Sequence, residues 1–577
     1  MRKLLKYLKG YEKESIIGPL FKLLEACFEL IVPLVMAKII DVGIAKQDMT
    51  YILQMGGILV LLGVLGLACS LTAQFFAARA SMAFGTALRK DLFEHINELS
   101  YAELDQIGTS TLITRITSDA NQAQTCVNLV LRLFSRSPFI VIGALVMAFL
   151  IDAKTAVIFL IAIPILAIII YGIMLITMPM YKRVQGIVDR VSLITRNNLV
   201  GARVIRAFSK QEDEEKEFVQ TSTNLRELQM KVGRISGLLN PFTYIVVNVA
   251  IIAIIWQGGY QVSIGNLEQG EVIALVNYMT QILIALVALA NLIVNVTKGA
   301  ASASRINDIF AVMPSMKEGN KEAGNSNAEY KVEFDQACFA YANARLDSLT
   351  DLSLKVKPGQ TIGIIGGTGD GKTTMVNLIP RFYDVRSGMV KVDGLDVKEY
   401  TYDALRKKIG IVPQKAMVFK GTIRDNMRWA KKDATDEEIY KALDIAQARE
   451  FVDGKPDGLD TMIMQGGQNL SGGQRQRLTI ARALVGDPEI IILDDSASAL
   501  DYATDAKLRA AIATMAKHTT VFLVSQRAAS IKHAEQIVVL DEGCMVGLGT
   551  HEELLETCEE YREICFSQLS KEEVGAK

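Results

Sequence analysis

The chain has 577 residues, half of them hydrophobic and 22% charged, with 62 Lys and Arg against 63 Asp and Glu for a net charge of -1. That length exceeds a single hydrophobic core and allows several domains, while the missing basic excess excludes a nucleic-acid partner, since nothing is available to neutralise a phosphate backbone. The seven cysteines form no CxxC pair and no metal-ligand spacing, so they read as reduced thiols and not as a disulfide framework.

In chain order, MRKLLKYLKGYEKES interleaves lysines with Leu and Tyr ahead of a long apolar stretch. That is not a cleavable signal peptide; it predicts a basic amphipathic elbow on the cytoplasmic membrane face. Six apolar stretches then reach the roughly 20 residues that cross a bilayer as a helix, at about 16–42, 52–78, 129–151, 155–180, 239–262 and 272–297. Arg132 and Arg136 place the start of the third near an interface. The links after the first, third and fifth spans are short. Those after the second and fourth, at about 80–127 and 181–238, are long, helically patterned and rich in Lys and Arg. The positive-inside rule makes these long loops cytoplasmic, and with them the N-terminus and the C-terminal half. They read as helical extensions that carry the membrane helices into the cytosol. Absence of period-2 alternation excludes a membrane barrel.

Ionisable side chains inside a span point to function unless they are paired. Glu25 and Glu29 are four apart, hence on one helix face, with Lys22 near enough to pair. They read either as contacts for a substrate or ion or as a satisfied network inside the bundle. Asn248, Asn277, Gln281, Asn291 and Asn295 likewise fit a polar cavity or interhelical hydrogen bonding.

The apolar spans end near Val296, and KEGNKEAGNSNAEY from Lys317 is a polar linker, which divides the chain into a membrane domain at 1–318 and a second domain at 319–577. Strand-like runs (TIGIIG, IIILDD, TVFLVS, QIVVLD) alternate there with helical patterns, the signature of an α/β domain on a largely parallel sheet. Gly366-Gly367-Thr368-Gly369-Asp370-Gly371-Lys372-Thr373, followed by Thr374, matches the phosphate loop G-x-x-x-x-G-K-[ST] and sits between a strand and a helix. Its backbone N–H groups wrap phosphates, Lys372 reaches the β- and γ-phosphates, and Thr373 offers a hydroxyl to Mg²⁺. ATP and Mg²⁺ are the expected ligands. The apolar strand Ile490–Leu493 ends in Asp494 and Asp495, and the strand-end carboxylate of Asp494 is placed to hold that metal, directly or through water.

Leu470-Ser471-Gly472-Gly473-Gln474 is the most specific motif. Together with Tyr341, with Gln414 in IGIVPQ and with Ser498-Ala499-Leu500-Asp501, it resembles the ABC transporter superfamily. Six helices ahead of the nucleotide domain, VGARVIRAF from Val200 and ASASRI from Ala301 are similar to the exporter type. The resemblance implies an all-α six-helix membrane domain with cytoplasmic helical extensions, followed by a cytosolic α/β phosphate-loop domain. It further implies that Tyr341 stacks on adenine, that Gln414 contacts Mg²⁺ and reports nucleotide state, and that Ser471 to Gln474 bind the γ-phosphate held by an opposite subunit.

Two positions depart from the family pattern. Asp495 stands where a glutamate polarises the attacking water; one methylene fewer withdraws the carboxylate by roughly 1 Å, a misplacement that can cost about 10²-fold. Gln526 stands where a histidine contacts the γ-phosphate, and an amide cannot carry an imidazolium charge. The pattern resembles the degenerate-site subunit of a bacterial heterodimeric exporter. A homodimer with aspartate as base, and an ATP-gated channel or regulator, are the alternatives. An apolar cavity with scattered Asn suits lipophilic or amphipathic drugs or lipids, moved across a bacterial inner membrane.

Overall fold

The computed structural model describes residues 2–325, 327–342, 344–496, 500–515 and 519–568. The chain divides into two compact units, Met1–Asn97 with Ser110–Val312 and Glu98–Thr109 with Met313–Lys577.

The first unit is helical. A 3₁₀ turn at Arg2–Leu8 leads into α1 (Glu12–Lys38), α2 (Met49–Glu98), α3 (Tyr101–Ile107, assigned to the second unit), α4 (Thr109–Thr114), α5 (Ala120–Leu129) and α6 (Arg136–Ile151). There follow α7 (Ala153–Val200), α8 (Ala202–Ala207), α9 (Gln211–Gly237), α10 (Leu239–Ser263) and α11 (Gln269–Ala311). Short π-helical segments at Arg115–Asp119 and Val130–Phe134 join α4, α5 and α6 into one run, and α9 continues into α10. Among the described residues, five runs are long and apolar enough to cross a membrane: Met49–Glu98, Thr109–Ile151, Ala153–Val200, Gln211–Ser263 and Gln269–Ala311. The remaining expected span is α1, 27 residues long but broken in composition by Lys22, Glu25 and Glu29.

At 1.5 Å per residue the 50 residues of α2 reach about 75 Å, far beyond a hydrocarbon core about 30 Å thick. The long basic loops are therefore continuations of the membrane helices. The expected elbow lays Leu4 and Tyr7, both buried, toward α2, with the Tyr7 ring 6.3 Å from that of Phe84.

Small residues (Ala144, Ala148, Ala156, Ala274) let the helices approach around Phe159, Leu166, Ile254, Tyr278 and Met279, all buried. The Tyr278 hydroxyl donates to the Leu30 carbonyl at 2.5 Å. Several charges in this unit are paired: Lys22 with Glu25 at 2.6 Å, Arg136 with Glu29 at 2.7 Å, and the buried Asp119 with both Arg115 (2.7 Å) and Arg305. Glu25 and Glu29 thus each have a basic partner. Asn248 and Asn291 are exposed on their helices, and half-buried Asn295 donates to the Asn291 carbonyl at 2.9 Å.

The second unit contains twelve strands among the described residues: β1 (Val332–Phe339), β2 (Leu349–Val356), β3 (Thr361–Gly366), β4 (Ser387–Val392), β5 (Leu395–Asp396), β6 (Ile409–Val412), β7 (Gly421–Thr422), β8 (Met462–Ile463), β9 (Ile490–Asp494), β10 (Thr520–Val524), β11 (Gln536–Asp541) and β12 (Cys544–Gly549). The central sheet runs β12-β11-β3-β10-β9-β6, parallel except for β12. An antiparallel sheet, β2-β1-β4-β5, shares its core through Phe334, Leu354, Ile364 and Phe522. The helices that matter for the site are α12 (Lys372–Leu378), α13 (Tyr402–Lys407), α14 (Ile423–Met427), α15 (Asp436–Ile445), α16 (Arg449–Asp453), α17 (Gly472–Leu484) and α18 (Tyr502–Met515).

Candidate active site

In a parallel sheet, ligands collect at the carboxyl ends of the strands. Val524 at the end of β10 lies opposite Ile364 of β3 on one side and Asp494 of β9 on the other. That register brings the phosphate loop, Asp494 with Asp495, and Gln526 to one end of the sheet. The Asp495 amide bonds the Val524 carbonyl at 3.0 Å, and the Ser525 amide bonds the Ile364 carbonyl at 3.1 Å.

The loop from Gly366 to α12 needs glycine at its turns: Gly369 and Gly371 have φ of 103° and 89°, and a Cβ on Gly371 would fall 2.6 Å from the Ser348 carbonyl oxygen. Thr368, just before them, is exposed. Buried Lys372 turns its ammonium onto the loop carbonyls of Gly366, at 3.0 Å, and Gly367. Burial pushes the Lys372 ammonium below its ordinary range, against the opposing pull of Asp370, Asp494 and Asp495. Thr373 donates its hydroxyl to both Asp494 oxygens, at 2.9 and 3.1 Å. Burial raises the Asp494 carboxyl and the neighbouring Asp495 charge adds to that, with the Thr373 bond and Lys372 opposing. A hydroxyl and a carboxylate converging at the end of a phosphate loop are the hard oxygen donors that Mg²⁺ takes, so these residues fit that ion.

Asp495 has φ of 46°, a left-handed conformation that aspartate tolerates better than most residues. Gln526 is exposed, and its backbone carbonyl accepts from the Gln568 side-chain amide at 2.7 Å. The Tyr341 hydroxyl lies 3.0 Å from that of buried Thr374, so the ring stands beside the start of α12.

The other motifs lie apart from this cluster. Ser471 caps α17: its hydroxyl accepts from the Gln474 amide at 3.2 Å while the Gln474 side chain accepts from the Ser471 amide at 3.0 Å. Leu470 is buried behind the cap, Ser471 and Gly472 are exposed, and Gly473 is half-buried. Gln414, two residues beyond β6, is exposed. Among the described residues no hydrogen bond joins Gln414 or Ser471–Gln474 to the loop. Leu500 is buried, and Asp501 accepts from the amide and hydroxyl of Thr504 at 2.9 and 2.8 Å, at the start of α18. Ser498 and Ala499 lie outside the described residues.

One feature escaped the motif reading. The segment Glu98–Thr109, in the long loop after α2, packs within the nucleotide unit. The Tyr383 hydroxyl donates to Asp105 at 2.6 Å, and the Tyr101 ring lies 4.7 Å from Phe382. Tyr383 also stands 5.4 Å from Tyr341, edge to face. Asp105, Gln106, Tyr341, Tyr383 and Asp384 line a cavity of about 540 Å³. The signal for a short helix there was Ser100-x-x-Glu103, which forms a capping box.

Residues 15–287 match the family model described as ABC transporter transmembrane region and residues 349–498 the one described as ABC transporter. An uncharacterized ABC transporter ATP-binding protein of Bacillus subtilis (strain 168) is 36% identical over 572 residues, 99% of each chain. The ATP-dependent lipid A-core flippase of Desulfotalea psychrophila (strain LSv54 / DSM 12343) is 34% identical over 476 residues, 82% of each chain. A bacterial Atm1-family ABC exporter solved with ATP bound shares the fold at a TM-score of 0.79 and 23% identity, covering 97% of this chain and 98% of that one. With the phosphate loop and the strand-end carboxylates together at one end of the sheet and relatives matched along nearly the whole length, the chain belongs to the ABC transporter family, as an ATP-driven, multi-pass exporter-type fusion of a helical membrane region with a cytosolic nucleotide-binding domain.

Proposed function

We propose that this chain is one subunit of a heterodimeric exporter, holding a nucleotide site that binds ATP and hydrolyses it slowly while completing a faster site on its partner. The observation that carries the reading is the pairing of Asp495 and Gln526 at adjacent strand ends beside an intact phosphate loop. Binding needs the loop amides and Lys372; hydrolysis needs a base and a γ-phosphate contact, and these are the two positions that depart. Thr373 and Asp494 would hold Mg²⁺, which when bound supplies neutralisation of the phosphate charge. Tyr341 would flank adenine and Gln414 would sense the metal. The exposed Ser471–Gly472 end of α17 would face the partner's γ-phosphate, since capped helix amides attract anions.

ATP would close the paired nucleotide domains, closure would turn the membrane helices outward, and hydrolysis would reset them. The substrate class is lipophilic or amphipathic, drug or lipid, leaving across a bacterial inner membrane; a relative being a lipid A-core flippase supports a lipid.

The test is Mg²⁺-ATP hydrolysis by the purified chain, alone and copurified with a candidate partner. The expected result is little turnover alone, little effect of Asp495→Ala in the pair, and loss of turnover in the pair with Ser471→Ala. Brisk turnover by the chain alone, stopped by Asp495→Ala, would instead establish a homodimer with aspartate as base.

A further inference from the structure

A phosphate loop attracts anions because its amides and its lysine present positive charge. This loop also carries an acid, Asp370, two residues before Lys372. The carboxylate is half-buried and folds back over the first residues of the loop: a Cβ on Gly366 would stand 2.9 Å from Oδ2, and one on Gly367 3.0 Å. Among the described residues no hydrogen bond or salt bridge occupies it. Its charge acts on Lys372, together with those of Asp494 and Asp495. An acid therefore lies over the same loop residues, Gly366 and Gly367, on whose carbonyls the Lys372 ammonium rests, in a site built to take a polyanion.

We propose that Asp370 is a specificity-determining residue that makes this site accept ATP as its Mg²⁺ complex and reject the metal-free nucleotide. The inference rests on reading the loop as an ATP site. Metal-free ATP brings the full charge of its phosphates to the loop, whereas the complex brings about two charges fewer. With an effective dielectric of about 25 and separations of about 9 Å, each unneutralised phosphate charge facing Asp370 weakens binding by roughly tenfold. A serine or asparagine at 370 would lack that repulsion. The acid also suits a site that hydrolyses slowly, because loss of the metal then expels the nucleotide without waiting for hydrolysis.

The experiment measures the affinity of the purified full-length chain for trinitrophenyl-ATP, in Mg²⁺ and in EDTA. It compares the unsubstituted protein with Asp370→Ser, Asp370→Asn and Asp370→Glu, and with Lys372→Ala as a control for loop binding. The ratio of the two affinities is expected to fall by roughly a hundredfold in the Ser and Asn variants, about tenfold for each of the two charges, mainly through tighter metal-free binding, and to be kept in the Glu variant. Variants that lose binding in both conditions, or a ratio unchanged in Ser and Asn, would overturn the role of Asp370 and leave the ATP site standing. Binding by the unsubstituted chain that Lys372→Ala does not alter would overturn the ATP reading of the loop, and the inference with it.

Discussion

The two ends of β9 hold their carboxylates in opposite ways. Before its first residue, Glu489 meets Lys331 and Lys408, and buried Asp393 closes the set at 2.7 Å from Lys331 and 2.8 Å from Lys408. Two acids and two bases cancel. Burial would push the Glu489 carboxyl up, but Lys331 and Lys408 outweigh it and hold it below the ordinary glutamate range. At the last residue, Asp494 lies beside Asp495 with one buried lysine nearby, and its carboxyl is raised. The strand is the same; the difference is whether a carboxylate has bases or another carboxylate beside it. Acids matched with bases are held for the fold, whereas like charges brought side by side at a phosphate loop are arranged for a ligand of opposite sign.

The largest effect that tests this division is at the balanced end. Lys331→Ala removes the base from a side chain only 10% exposed and leaves Asp393 buried with Lys408 alone. Breaking a buried pair costs about 3 kcal/mol, which lowers the unfolding midpoint by roughly 6–10 °C. Differential scanning calorimetry of the full chain is expected to show that fall, with unchanged affinity for nucleotide in the folded protein. A loss of nucleotide binding without a fall in Tm would mean that the balanced end also serves the ligand.

Acid titration separates the two ends without mutation. Asp494 must be ionised to hold Mg²⁺, and its raised pKa means that the metal-dependent part of nucleotide binding fades as pH falls through a range above the ordinary aspartate value of about 3.9. Glu489 runs the other way. With a depressed pKa, its stabilising contribution is fully present above about 4.3 and is lost only as pH falls through its lower folded value. Nucleotide binding, followed by fluorescence, is therefore expected to fail at a higher pH than the fold, followed by circular dichroism. Simultaneous loss of both signals would erase the distinction between the ends.

These features differ in how much of them the sequence displays. Gly366–Thr373, Ile490–Asp495 and Leu470–Gln474 are contiguous because each works through its own backbone: a loop of amides, a strand end, a capped helix. Their chemistry is legible in a short window, as is the placement of Glu25 and Glu29 on one helix face. The Lys331, Asp393, Lys408 and Glu489 set comes from four separate segments, and Glu29 finds Arg136 across 107 residues. No periodicity records such a meeting, because the partners are chosen by packing. The cytoplasmic extensions were legible as helical pattern, but not that residues 98–109 belong with the nucleotide unit.

The smallest expected effect concerns that segment and asks whether the ligand end of β9 is heard elsewhere. Tyr341, placed beside α12, touches Tyr383 edge to face, and Tyr383 donates to Asp105. Asp105 lies on α3, in chain continuity with α2 on one side and α4 on the other. Tyr383→Phe keeps the ring and deletes only the hydroxyl. A hydrogen bond to a carboxylate contributes about 1.5–3 kcal/mol, less here because Asp105 is near solvent. The affinity for nucleotide should stay the same, since the ring still flanks Tyr341. Hydrolysis by the assembled transporter should persist, while its response to a transported compound weakens by a few fold, because α3 is held less firmly when nucleotide arrives. Asp105→Asn keeps an oxygen able to accept that hydroxyl and should retain most of the response. If the phenylalanine variant responds like the unsubstituted protein, the contact between Tyr383 and Asp105 serves packing alone.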